Sequence, residues 1–332
     1  MKKDDKEMRP QTKDIAKRSA RVAAAALLIM AIAIAGCSDK KSQVSPTSSS
    51  STAQTSFTSA TEAGQALQSA AKAGDESALS RILGPNSKAI LSSGDPVEDK
   101  AALESFASKY TQMNRWVTMT DGSQILNIGA DNYPFPIPLV KDPSGKWYFN
   151  TKAGEDEILA RQIGSNELLA IDACGSIGNA EELYVRQPHD GNPPHLYTTL
   201  IVSSPGKKDG LYWEVPQGQA PSPLGRVNNF APSAISSNTS SGPTVIDGYA
   251  FRILTAQGDK AKGGAKNYLV NGKLTGGFAI IASPVKYHDS GIMTFIMSQE
   301  GTVYQKDLGS STADAAAAIK DYNPSDGWAP AQ

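Results

Sequence analysis

Fourteen consecutive apolar residues, Val22 to Ala35, separate a part of the chain that belongs to no globular core from the part that must supply one. As a helix the run rises about 21 Å at 1.5 Å per residue, well short of the roughly 30 Å hydrocarbon core of a bilayer. A stable transmembrane helix is therefore not expected. Residues 1–36 carry eight Lys/Arg and four Asp/Glu, so a basic stretch, an apolar stretch of this length and small residues at its end follow in the order of an export signal. Its removal takes away a net +4 (8 − 4) and leaves the remainder at −1 − 4 = −5. An acidic remainder without a basic stripe argues against nucleic acid as a partner, because phosphate binding rests on clustered Lys and Arg.

The residues that close the run, Ile34-Ala35-Gly36-Cys37, resemble the lipobox of bacterial lipoproteins. In that family a diacylglycerol is joined to the cysteine thiol, the signal is cut before it, and the new amine is usually acylated. The resemblance implies that Cys37 becomes the first mature residue and that its lipid makes the membrane a partner. The alternative is an ordinary small-residue cleavage site with an incidental cysteine. A tether is expected over 37–56, because "SDKKSQVSPTSSSSTAQTS" cannot bury enough apolar surface to fold. As flexible coil it reaches roughly 25 Å. With Cys37 lipidated, Cys174 is the one other cysteine and no intrachain disulfide is available. One acyl chain binds a bilayer marginally, whereas two or three hold effectively permanently. Ser38 rather than Asp follows the cysteine, so the resemblance implies the outer membrane rather than the inner, with the protein facing the periplasm.

The chain is 39% hydrophobic and 20% charged over 332 residues, enough for two domains of ordinary size. The first is expected over 57–152. Ala63, Ala66, Leu67, Ala70 and Ala71 mark one face of a helix that Gly74 breaks, and Leu79, Ile82 and Leu83 a second that stops at Gly84-Pro85. Asp95, Pro96 and Glu98 read as N-cap, first-turn proline and capping-box partner of a third helix to about Tyr110, so Asp95 is a cap rather than a catalyst. The strand-like stretches "RWVTM", "SQILNIG", "FPIPLVKD" and "GKWYFNT" follow, separated by turn residues. Pro136 and Pro138 remove same-side amides, which predicts an edge strand. Helices followed by this meander resemble the cystatin-like cone of the nuclear-transport-factor type, which implies an α+β fold and a pocket between helix and sheet.

The second domain is expected over 153–332. Leu159, Ile163, Ala170, Cys174, Ile177 and Tyr184 keep helical spacing along one long helix, with Glu155, Asp156 and Glu157 in its first turn. Cys174 lies on that apolar stripe and reads as a buried, unreactive thiol. Residues 188–245, rich in Pro, Gly and Ser, read as a loop-rich connector. The strands "GYAFRILT", "GGFAIIASP", "GIMTFIMSQ" and "GTVYQKDL" then predict a small antiparallel sheet. A long helix, an irregular region and such a sheet resemble the globular part of type IV pilins. Here the helix is internal and begins with three acids instead of a hydrophobic assembly stem, which argues against pilin-like polymerisation.

The segments "SGDP" at 93–96, "PFPIPLVKD" at 134–142, "KKDGLYW" at 207–213, "FRILTAQG" at 251–258, "GGFAIIASP" at 276–284, "SGIMTF" at 290–295 and "VYQKDLG" at 303–309 carry a wider resemblance. By them the chain from about residue 58 to 330 is identified as a member of domain-of-unknown-function family 2950, a group of bacterial envelope proteins. The resemblance implies no particular activity.

Motifs for catalysis are sparse. The chain has no Gly-x-Ser-x-Gly elbow, Cys-x-x-Cys, His-Glu-x-x-His or phosphate loop, and no cofactor is expected. His189, Asp190 and His195 are candidate metal ligands, but Asp190-Gly191-Asn192 lacks the alternating ligands and closing Glu of a calcium loop. His288 and Asp289, with Ser290 beside them, are candidate catalytic residues, although side chains of sequence neighbours diverge too far to make a triad. An Asx turn is the plainer reading. Tyr133, Trp147, Trp213 and Arg252 are candidate ligand contacts, set against core packing for the aromatics and an ion pair with Asp247 or Asp307 for Arg252. These readings predict a lipid-anchored, non-enzymatic envelope protein that binds or scaffolds an envelope partner. The alternatives are a small-ligand pocket or hydrolase using the cone or the His288-Asp289 loop, and an accessory of a pilus or secretion system.

Overall fold

The computed structural model describes residues 54–85, 87–190, 193–227, 235–237, 242–325 and 327–331. The export signal and Cys37 lie outside the described residues, as do Gly191 and Asn192. The fold is mixed α and β, with antiparallel sheets and one long helix. Among the described residues no helix is long and apolar enough to cross a membrane. The chain divides into two compact units, Met1–Ala160 and Arg161–Gln332, and the division falls inside the long helix Thr151–Tyr184.

The described part of the first unit begins at Gln54, inside the stretch expected to be tether, and its first residues are already bonded into the fold. Gln54 Nε2 donates to the carbonyls of Ile82, Leu83 and Phe149, and Thr55 N donates to Arg81 O at 2.9 Å. Helix α1 (Ala60–Ala73) starts where Ser59 Oγ accepts the Glu62 amide while the Glu62 carboxylate accepts the Thr58 amide and hydroxyl. It stops at Gly74, whose φ of 62° closes the last turn onto the Ala70 and Ala71 carbonyls. Helix α2 (Glu76–Leu83) follows, then one short turn, α3 (Lys88–Leu91). Asp95 accepts the Val97 and Glu98 amides and so starts α4 (Pro96–Gln112) as its sequence predicts.

Strands β1 (Asn114–Thr118), β2 (Gln124–Ile128), β4 (Leu139–Lys141) and β5 (Trp147–Phe149) form the sheet in that order, with β3 (Tyr133–Pro134) paired to β2. The proline segment is therefore not an edge strand, since β4 lies between β2 and β5. Pro136 and Pro138 fall in the bend before it, where no ladder bond needs their missing amides.

Helix α5 (Thr151–Tyr184) is 34 residues long. In the first unit, Gly154 lets it close on Ile137, whose Cγ1 would be 2.7 Å from any Cβ there. In the second unit Ala170, Cys174, Ile177, Ala180 and Tyr184 are buried in the core, whereas Leu159, expected on the same stripe, falls in the first unit and is 38% exposed. That core includes a seven-stranded antiparallel sheet, in the order β16 (Ala329–Pro330), β15 (Val303–Asp307), β14 (Met293–Ser298), β13 (Ala279–Pro284), β8 (Tyr249–Leu254), β7 (Thr244–Ile246) and β6 (Ile235–Ser237). The connector thus supplies β6 and part of β7, which its loop-like composition conceals.

Strand alternation sorts the sheet into two buried faces. Met297 on β14 meets α5 at Gly178, which has no Cβ to block it. Ile296, one residue earlier and so on the other face, is opposite Ile281, which is in turn opposite Arg252. Arg252 reaches the closing turn of α6 (Thr312–Ala318). Helices therefore cover both faces, which explains why β13 and β14 are buried almost throughout.

Candidate functional site

In the first unit, the space between helices and sheet is filled by aromatic rings. Phe57 meets Phe149 at 6.5 Å between centroids, Phe149 meets Phe135 at 6.3 Å, Phe135 meets Phe106 at 5.2 Å, and Phe106 meets Tyr110 at 6.2 Å. The concavity lies outside, where Trp147, Lys141, Gln124, Thr118, Asp121 and Ser123 help to line an open cleft of about 510 Å³. The Lys141 ammonium stands 4.9 Å from the Trp147 ring centroid, and the Lys109 ammonium 5.2 Å from that of Tyr133. Asp121 is committed to its own turn, accepting the Ser123 amide and hydroxyl at 2.9 and 2.7 Å, which lowers its pKa. The cleft is thus an open surface lined by a cation-covered indole and by turn residues.

The histidines of the second unit are tied into its loops. His189 stacks on Tyr184 with centroids 4.1 Å apart, meets Trp213 edge-on at 5.7 Å, and has Nε2 3.1 Å from the Tyr184 carbonyl. Partial burial lowers its pKa. Asp190 accepts the Lys208 amide, and the Lys208 ammonium sits 5.8 Å from the Trp213 ring centroid. His195 turns the chain at φ 73° and donates its amide to Val185 O at 2.7 Å. Trp213 thus packs in a local aromatic cluster. Among the described residues no group of three His, Cys, Asp or Glu is arranged to hold a metal ion.

The His288 loop is a tight turn between β13 and β14. His288 has φ 62°, donates its amide to Gly291 O at 2.9 Å, and meets the Tyr287 ring edge-on at 4.5 Å. Asp289 pairs with Lys286 at 3.5 Å. The Ser290 hydroxyl accepts the Lys286 amide at 3.0 Å and lies 3.2 Å from its carbonyl, so it turns to backbone rather than to the imidazole. Arg252 likewise departs from the expected ion pair. Its Nη2 donates to the Ala316 and Ile319 carbonyls at 3.0 and 2.7 Å, because the end of a helix presents unpaired carbonyls and partial negative charge.

Two acids on α5 lie outside the sequence candidates. Glu167 Oε1 accepts the Ile292 and Met293 amides, both at 2.9 Å, while Asn166 Nδ2 donates to Ser290 O at 2.9 Å; together they hold the His288 turn to the helix. Glu181 is completely buried, accepts one hydrogen bond among the described residues, from Thr198 N at 3.2 Å, and burial raises its pKa well above the usual 4.5. The signal was present in the stripe 170, 174, 177, 184, because position 181 continues it. Cys174 on that stripe has no exposed surface, and burial pushes its thiol up to about 12.

The family described as "Protein of unknown function (DUF2950)" matches residues 54–331. The chain belongs to that family. The match spans both units of this DUF2950 protein, starting at Gln54, where its described structure also starts. No curated protein and no solved structure matches it.

Proposed function

We propose that this DUF2950 protein is a lipid-anchored component of the cell envelope that faces the periplasm and works by binding or scaffolding rather than by catalysis. The observation that carries the non-catalytic half is how its polar candidates are spent. His189, Asp190, Asp289, Ser290 and Arg252 each serve a contact within the fold, and the interior of the first unit is filled by phenylalanines. The anchor half is supported by the basic segment, the apolar run and Ile34-Ala35-Gly36-Cys37 in sequence. Ser38 after the cysteine favours the outer membrane. We read the first unit as cystatin-like, from its helices packed on an antiparallel meander, and the second as related to a pilin globular domain, from the long helix against an antiparallel sheet.

Cys37→Ser tests the anchor. It is expected to abolish labelling by a palmitate analogue and to release the protein from membranes, and unchanged labelling overturns that half. Turnover of any substrate in a broad hydrolase screen, lost on His288→Ala, overturns the other.

A further inference from the structure

Beside the large sheet of the second unit, β9 (Ala256–Gln257) pairs with β10 (Lys266–Asn267), and strands β11 (Leu269–Val270) and β12 (Lys273–Leu274) form a separate ribbon. Leu269 pairs with Leu274 and Val270 with Lys273, and the turn residues Asn271 and Gly272 both have positive φ, 53° and 73°. This is the two-residue geometry that matches strand twist and holds a hairpin rigid. The base of the ribbon is fixed: Tyr268 and Leu274 are buried, and the Tyr268 hydroxyl donates to Gln257 Oε1 at 2.6 Å. The tip is open. Leu269 and Val270 are 37% and 49% exposed, and Asn271, Gly272 and Lys273 are exposed with them.

The charge around the ribbon departs from that of the rest of the chain. Gln257 also donates to the carbonyls of Lys262 and Gly264, which ties the 258–266 loop to the base of the ribbon. Residues 258–276 carry Lys260, Lys262, Lys266 and Lys273 against Asp259, a net of 4 − 1 = +3. Glu300, paired with Lys262 at 3.2 Å, reduces this to +2, in a chain that carries −5 beyond residue 36. Val270 and Lys273, paired across the ribbon and so on one face of a rigid tip, with Lys260, Lys262 and Lys266 in the adjoining loop, fit the interface of an anionic bilayer. The Val270 side chain enters the boundary of headgroup and acyl chain while the lysines meet phosphates.

We propose that the β11–β12 ribbon is a second membrane contact, docking the second unit on a bilayer that contains anionic phospholipid. The proposal rests on the anchored reading for its biological setting, because a tethered protein meets the bilayer at a high effective concentration and a weak second contact then suffices. Its physics does not need the anchor and is tested without it. Every core residue of both units lies at or beyond Phe57, so the chain from Ser38 onward keeps both cores.

That form is sedimented with vesicles of phosphatidylcholine alone and of equal parts phosphatidylcholine and phosphatidylglycerol. Binding to the mixed vesicles is expected, weakened by salt, by Lys266→Gln with Lys273→Gln, and about tenfold by Val270→Asp, with near-ultraviolet circular dichroism unchanged. Val270→Trp should give emission that shifts to the blue on adding mixed vesicles. No binding to mixed vesicles, equal binding to pure phosphatidylcholine, or salt-sensitive binding that Val270→Asp leaves intact would each overturn the proposal, the last pointing to a generic polyanion site instead. Failure here with Cys37 labelling intact removes the ribbon contact alone, and the converse result removes the anchor alone.

Discussion

Glu181→Gln is expected to stabilise the second unit at neutral pH and to change it little in acid. The Glu181 side chain is fully buried, its Oε2 accepts one hydrogen bond from Thr198 N, and its Oε1 has no hydrogen-bond partner among the described residues. Desolvation is the main cause of its raised pKa, and the neighbouring Glu182 pushes the same way. The hydrogen bond from Thr198 opposes both and is outweighed. In the folded protein the carboxyl therefore holds its proton to a higher pH than in the unfolded chain, where it titrates near 4.5. A raised folded pKa means stability that is fully present below about pH 4.5 and lost as pH rises toward the folded value.

Within that window each pH unit costs about 1.4 kcal/mol. Glutamine keeps the shape, can still accept the Thr198 amide, and has no proton to lose. The variant and the parent should thus have similar stability near pH 4.5 and diverge by about 1.4 kcal/mol per unit above it, until the folded pKa is reached. Urea unfolding at a series of pH values measures this, followed by the fluorescence of Trp213 and Trp328, both packed against the second core. A difference that does not vary with pH, or a variant less stable than the parent at neutral pH, would refute a raised pKa for the buried Glu181.

Asp95→Ala removes the acceptor for two amides at the start of α4 and should cost the first unit about 1 kcal/mol; an unchanged urea midpoint followed through Trp116 and Trp147 would remove the cap. Gly291→Ala places a Cβ against the Tyr249 hydroxyl, which donates to Met293 O at 3.0 Å, so a loss of about 1–3 kcal/mol in the second unit is expected, and wild-type stability would show that the site is slack. Cys174, with no exposed surface and a thiol pushed up to about 12, should resist a thiol reagent at pH 8 in native protein and react at once in denaturant. Native reaction at the denatured rate would place it outside the core.

Local chemistry was the legible part of the sequence. Gly74 as a helix stop, Asp95 as a cap and the central strands of the second sheet all depend on residues within a few positions of each other, and the structure places them where those signals pointed. The exceptions share a cause. The proline segment read as an edge because prolines spoil ladders, yet the bend carries them and the strand begins one residue later, at Leu139. The connector hid β6 and part of β7 because its composition is that of loops, while its pairing partner β8 lies beyond it in sequence.

The same distinction explains the candidate residues. His288, Asp289 and Ser290 stand together in sequence, but a turn with positive φ at its histidine points their polar groups to backbone, to Lys286 and to Tyr287 rather than to each other. What fixes that turn is Glu167, 125 residues before Ile292, a partnership no local pattern encodes. The β11–β12 ribbon is the opposite case. Asn271-Gly272 between apolar and basic residues is a strong short-range hairpin signal, and four lysines within residues 260–273 stand out against an acidic chain. Over residues 37–332 as a whole that cluster is averaged into a net charge of −5. A net charge describes long-range steering, whereas docking depends on which side chains share one rigid tip, so the ribbon becomes visible only when charge is counted hairpin by hairpin.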